Sequence, residues 1–104
     1  MKKKIVLEGK AEKDLLHIKE YIARDSAFYA NKTTIEIDNR INNLSLFPEM
    51  GRYVPELDSK IIRELIYKSY RILYRIKGRN VQILRIFHHS QNILNFKSEL
   101  SKVD

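Results

Sequence analysis

Cysteine is absent from this 104-residue chain, which removes disulfides, thiolate chemistry and every zinc site that needs sulfur ligands. Long apolar runs are absent too. The longest, Ala27 to Ala30, falls far short of the roughly 20 residues a membrane-spanning helix needs. Between the opening lysines and Glu8 only Ile5, Val6 and Leu7 are apolar, too few for a signal peptide. A cytoplasmic protein without a membrane segment is the expectation. Glycine occurs three times and proline twice, and 43% of the residues are hydrophobic. That share supplies one modest core, so a single domain over residues 1–104 is expected and intrinsic disorder is not.

Charge is present in quantity and unevenly placed. Residues 1–59 carry ten Lys plus Arg and ten Asp plus Glu. Residues 60–90 carry eight basic side chains (Lys60, Arg63, Lys68, Arg71, Arg75, Lys77, Arg79, Arg85) against Glu64 alone, which is the whole net charge of +7. Such segregation predicts a surface that meets phosphate or an acidic protein.

The periodicity changes along the chain. Lys3 to Leu7 is short, apolar and β-branched behind a run of lysines, the pattern of an edge strand. Ala11, Leu15, Ile18 and Ile22 then form a helical stripe that stops near Asp25 and Ser26. Ala30, Thr34, Ile37, Ile41 and Leu44 form a second stripe ending before Pro48. Two helices joined by a short polar break predict an antiparallel hairpin with an inward apolar seam. A loop follows to about Ser59, with Gly51 and Pro55 as breakers. Ile61 to Tyr67, Tyr70 to Ile76 and Val81 to Phe87 alternate with period two and predict three antiparallel strands, the last two joined by Lys77-Gly78-Arg79-Asn80.

With Gly78 and Arg79 at the tip, unbroken alternation places Tyr70, Ile72, Tyr74, Ile76, Val81, Ile83 and Phe87 on the face toward the helices. The other face receives Arg71, Leu73, Arg75, Gln82, Leu84, Ile86 and His88, which makes it the candidate functional face. Arg71 and Arg75 point the same way about 13 Å apart, and Arg71 lies diagonal to His88. A guanidinium that stays charged beside an imidazole that titrates near neutrality suits phosphodiester cleavage, and an ordinary solvated strand face is the equal alternative. Arg85 falls on the apolar side, where either its aliphatic stem snorkels or a bulge shifts the register.

Other chemistry finds less support. His88 and His89, as strand neighbours, are expected on opposite faces and unable to share a metal, and no metal or cofactor is expected. His17 reads as structural. No phosphate-cradling glycine loop or hydrolase triad is present. Tyr67, Tyr70 and Tyr74 have the chemistry to stack on bases, but parity favours core packing for Tyr70 and Tyr74.

The series Pro48-x-x-Gly51-Arg52, Arg63-x-Leu65, Tyr70-Arg71-Ile72-Leu73-Tyr74-Arg75-Ile76 and Val81-x-Ile83-Leu84-Arg85-Ile86-x-His88 resembles the RelE/ParE superfamily of toxins from bacterial type II toxin-antitoxin systems. The likeness runs from about residue 4 to residue 94. It implies an α+β fold, an N-terminal helical hairpin packed on a small antiparallel sheet of mainly three to four strands. It also implies a cognate antitoxin as partner. RelE-like members of the superfamily cut mRNA on the ribosome without a metal, whereas ParE-like members poison DNA gyrase. In the first case the resemblance assigns Arg71 and His88 to catalysis. Ser90, Gln91 and Phe96, where many nucleases carry basic or tyrosine side chains, together with the Gly51-Arg52 loop and the paired helices, favour the ParE-like branch. The alternatives are a RelE-like endoribonuclease and a non-toxic antitoxin-binding module. Arg63, Lys68, Arg71, Arg75 and Gln91 are the expected binding residues.

Overall fold

The computed structural model describes residues 2–103; Met1 and Asp104, at the ends of the expected domain, lie outside the described residues. Strand β1 (Lys4–Leu7) leads into helix α1 (Gly9–Ala23) and helix α2 (Ala27–Asn43). Ser26 caps α2, its Oγ accepting the Tyr29 N–H at 3.1 Å, so the polar break between the stripes starts the second helix. All five residues of the predicted α2 stripe are buried.

Four more strands follow: β2 (Arg52–Tyr53), β3 (Ile62–Tyr67), β4 (Tyr70–Lys77) and β5 (Asn80–His88). They form one sheet in the order β1-β5-β4-β3-β2. β1 runs parallel to β5 and every other pair is antiparallel. The sheet therefore has five strands and is mixed, where three to four antiparallel strands were expected. The extra strand is the two-residue β2, too short to leave an alternating pattern. Gly78 turns the β4–β5 hairpin with φ +59°, a conformation open to glycine without a Cβ clash.

Between β4 and β5 the register slips once. From the tip, Lys77 pairs with Asn80 and Tyr74 with Ile83, as expected; beyond a β-bulge, Leu73 faces Arg85, Ile72 faces Ile86 and Tyr70 faces His88. Leu84 is the extra residue. The side chains of residues 85–88 are thereby exchanged between faces. Ile86 joins Ile72, Tyr74, Val81 and Ile83 against Ala11, Ile37, Ile41 and Leu44 of the helices. Phe87 turns to the far face, and Arg85 follows it. This corrects the alternation predicted for the end of β5.

The far face is a second core, not an open polar wall. Leu73, Ile62 and Phe87 pack there beneath Val54, Leu57, Ile93 and Leu100. Ile93 and Leu100 belong to a C-terminal cover made of a 3₁₀ turn (Ile93–Phe96) and the short helix α3 (Lys97–Leu100). Phe96 completes the cover, its ring 4.5 Å from that of Phe87.

One polar side chain ties the loop after α2 to the sheet. Tyr74, fully buried, donates its hydroxyl to the Pro48 carbonyl at 2.7 Å and accepts the Gly51 N–H at 2.9 Å. A Cβ on Gly51 would sit 2.6 Å from both that hydroxyl and the Glu64 carbonyl oxygen, so glycine is required by space. Tyr74→Phe is expected to destabilise the protein by about 1–3 kcal/mol, because the buried Gly51 N–H loses its acceptor and the half-buried Pro48 carbonyl its donor. Chemical denaturation should show a lowered midpoint with an unchanged slope.

Candidate functional site

On the far face, β2, β3 and β4 carry an ion cluster centred on Glu64. Its side chain is fully buried, which its two arginine partners make tolerable. Arg71 Nε donates to Glu64 Oε1 at 2.6 Å, and Arg52 Nε donates to Oε2 at 2.9 Å. The outer edge of the Arg71 guanidinium meets Glu56 in a fork, Nη1 to Oε2 at 2.6 Å and Nη2 to Oε1 at 2.8 Å. Each of the three guanidinium nitrogens of Arg71 thus donates to a carboxylate, and its side chain is only 12% exposed. The hydrogen bond from Arg71 holds the Glu56 carboxyl below its ordinary pKa, and the two carboxylates raise that of Arg71.

Arg85 is the centre of a second cluster at the β5 edge. Its Nε and Nη2 donate to Asp14 of α1 at 2.7 and 2.9 Å, and Nη1 donates to Glu99 of α3 at 3.0 Å. Its guanidinium carbon lies 4.8 Å from the ring centre of Phe87 and 4.9 Å from that of Phe96. Burial pushes the Glu99 carboxyl up, but Lys10 and Arg85 outweigh it and leave Glu99 below its ordinary pKa.

The remaining predicted residues scatter. Arg75 is buried on the far face with Nε on Gln82 Oε1 at 2.6 Å. Arg63 lies toward the helices, donating to the Gly51 carbonyl at 2.8 Å and stacked 4.3 Å from the Tyr53 ring centre. Lys68, in the β3–β4 turn, is exposed and 3.7 Å from Glu36. Gln91 is exposed, its Oε1 accepting the His88 N–H at 2.8 Å. The late cationic side chains therefore do not line one common wall: Arg71, Arg75 and Arg85 serve as internal ties.

His88 and Arg71 are not neighbours. The bulge places His88 on the helix side, edge-to-face with Tyr70, where it lines a cleft against α1, while Arg71 stays on the far face. The expected Arg71–His88 diagonal is corrected accordingly. The second correction concerns His89. Because β5 ends at His88, strand alternation does not reach His89, and the two imidazoles lie 4.5 Å apart centre to centre. Among the described residues no group of three or more His, Cys, Asp or Glu side chains is placed to hold a metal.

The acidic partners Glu56, Glu64, Asp14 and Glu99 escaped the sequence reading as site residues. Glu64 carried a usable signal, being the lone acid on a basic strand pair.

The family model described as ParE toxin of type II toxin-antitoxin system, parDE, matches residues 5–93. The chain belongs to this ParE toxin family. Its resemblance to the RelE/ParE superfamily, and the reading as a type II toxin with a helical hairpin on a sheet, are borne out. The chromosomal ParDE TA system from P. aeruginosa matches with a TM-score of 0.71 at 25% identity, covering 83% of this chain and 95% of that one. The toxin-antitoxin complex RelBE2 from Mycobacterium tuberculosis matches with a TM-score of 0.56 at 22% identity, covering 85% and 99%, a likeness of fold. No curated protein is significantly similar to the chain.

Removing the buried carboxylate of this ParE-family toxin leaves Arg71 Nε without its partner, while Arg71 keeps its fork to Glu56 and Arg52, whose side chain is 62% exposed, turns to water. Glu64→Ala is expected to cost about 1–3 kcal/mol, read as a fall in thermal midpoint. Glu56 and Glu99 act at lower stakes, because both pairs are partly open to solvent. Their folded-state pKa values lie below the ordinary 4.5, so their stabilisation is present above pH 4.5 and is lost as pH falls through the lowered values. Glu56→Gln should cost about 0.2–1 kcal/mol at neutral pH and flatten the acid limb of a stability–pH profile measured by urea unfolding.

Proposed function

We propose that this toxin arrests growth by poisoning DNA gyrase, without catalysing a reaction itself, and that a cognate antitoxin neutralises it. One observation carries the choice between the branches of the superfamily: Arg71 and His88 sit on opposite faces of the sheet, and Arg71 is clamped between Glu56 and Glu64. A guanidinium so placed cannot steady a phosphate while the imidazole moves a proton, because both must reach one reacting centre. The family match over residues 5–93 supports the same branch.

The antitoxin reading draws on the matched structures, which are described as a ParDE system and a RelBE2 complex. An acidic segment of such a partner would be attracted by the net charge of +7. Lys68 and Gln91 are the predicted binding residues most open to it, whereas Arg71→Glu would unbalance the Glu64 cluster and so report on folding.

Purified protein is expected to block supercoiling by gyrase in a dose-dependent manner and to leave messages intact in a ribosome-based cleavage assay. Normal supercoiling at saturating toxin, with codon-positioned cuts in translated mRNA, would reverse the assignment.

A further inference from the structure

A cleft between α1 and the end of β5 borders the Arg85 cluster through Asp14 and lies on the opposite side of the sheet from the Glu64 cluster. It measures about 590 Å³, within the roughly 300–1,000 Å³ range of small-ligand sites. Its α1 wall presents His17, Tyr21 and Arg24, spaced four and three residues apart and so on one helix face. Its sheet wall presents Tyr70 and His88, and Ser90 and Gln91 close the end.

We propose that this cleft binds one nucleotide unit of a single-stranded nucleic acid. The lining sets aromatic rings beside a guanidinium, the two groups that a base and its adjoining phosphate would meet together. Tyr21, 68% exposed, offers a ring to the solvent side of the cleft, and the Arg24 guanidinium carbon lies 5.5 Å from its centre. Tyr70 and His88 hold each other edge-to-face at 5.5 Å and supply aromatic surface opposite. An alkyl chain would leave the cation unused, and an acidic peptide without aromatic side chains would leave the rings unused.

The polar groups suit base edges. Ser90 engages His88 Nδ1 twice, its N–H donating at 3.1 Å and its Oγ lying 2.7 Å away, so Nε2 is the ring nitrogen left for a ligand. Gln91 and Ser90 add amide and hydroxyl groups beside it. Two acids border the cleft. Asp14 is neutralised, since both its oxygens accept from Arg85. Glu20 is exposed on α1, one turn before Arg24, and opposes a phosphate there.

The test is a fluorescence-anisotropy titration of the full chain with labelled eight-nucleotide oligo(dT) and oligo(rU), in parallel with amide chemical-shift mapping. Binding should shift resonances around Tyr21, Tyr70 and His88. Tyr21→Ala should weaken it by roughly 5- to 150-fold, the worth of one base–aromatic stack. Arg24→Ala should weaken it with a reduced salt dependence, and Glu20→Gln should tighten it. Arg79→Ala, an equal loss of charge at the β4–β5 tip, should change it less than twofold. The stronger of the two oligonucleotides identifies DNA or RNA as the source. Tyr21 and Arg24 are exposed, so folding is checked simply by thermal melting, and Tyr21→Leu serves if the alanine variant melts early. Absence of binding at millimolar oligonucleotide overturns the proposal. So does equal weakening by Arg24→Ala and Arg79→Ala with none from Tyr21→Ala, or equal displacement by poly-glutamate. Because gyrase is absent from the titration, its outcome is independent of the supercoiling assay.

Discussion

The single unpaired residue in β5 governs how the two halves of this molecule fit. Leu84 lets Leu73 oppose two residues of the partner strand, and everything from Arg85 to His88 then changes face. Without that insertion Ile86 would leave the helix-side core and Phe87 would enter it, opening the far side where Phe96, Ile93 and Leu100 now rest. Both layers are close-packed, so a rotated β5 end has no compensating arrangement. The bulge also delivers Arg85 to the far-face aromatics while leaving it within reach of Asp14 on α1 and Glu99 on α3. One side chain thereby joins the helical hairpin, the sheet and the C-terminal cover.

The same economy governs the charge. A basic segment with one acid in it suggested a surface for an anionic partner, yet the three arginines that face the far layer spend their hydrogen bonds inside the protein. Arg71 answers Glu64 and Glu56, Arg85 answers Asp14 and Glu99, and Arg75 answers Gln82. Glu56, Asp14 and Glu99 all come from outside residues 60–90, so a balance counted along the chain hid the pairing made across space. What remains exposed for encounter is the cationic remainder in the loop and turns, Lys60, Lys77, Arg79 and Lys68, the last 3.7 Å from Glu36.

Local patterns were therefore legible and non-local ones were not. The α2 stripe, the edge strand β1 and the turn at Gly78 follow from spacing within one element, and each is where periodicity placed it. The bulge is a property of two strands together. Arg85 was its one sequence trace, a charged residue where alternation demanded an apolar one. The C-terminal cover was missed although Ile93, Phe96 and Leu100 recur at helical intervals, because a four-residue turn and a four-residue helix give too short a period to separate from loop. The site suffered most: a face assignment fails completely when register slips by one residue, so the imagined Arg71–His88 pair had no partial version to survive.

That slip has a functional reading as well as a structural one. An RNA-cutting arrangement needs a fixed cation and a proton-carrying ring at one reacting atom, and moving β5 by one residue separates them by the thickness of a sheet. The ring is not thereby wasted. His88 comes to rest against Tyr70 and opposite α1, and the Asp14–Arg85 tie sets the distance between that helix and the strand end. Asp14 also accepts the Ile86 N–H at 2.9 Å, so the helix is pinned to the backbone of β5 as well as to a side chain. The wall spacing of the α1–β5 cleft is consequently fixed by the same residues that the bulge repositions. A change that restored unbroken alternation in β5 would not return a nuclease site to an otherwise intact protein, since it would release α1, the far-face aromatics and the cleft together.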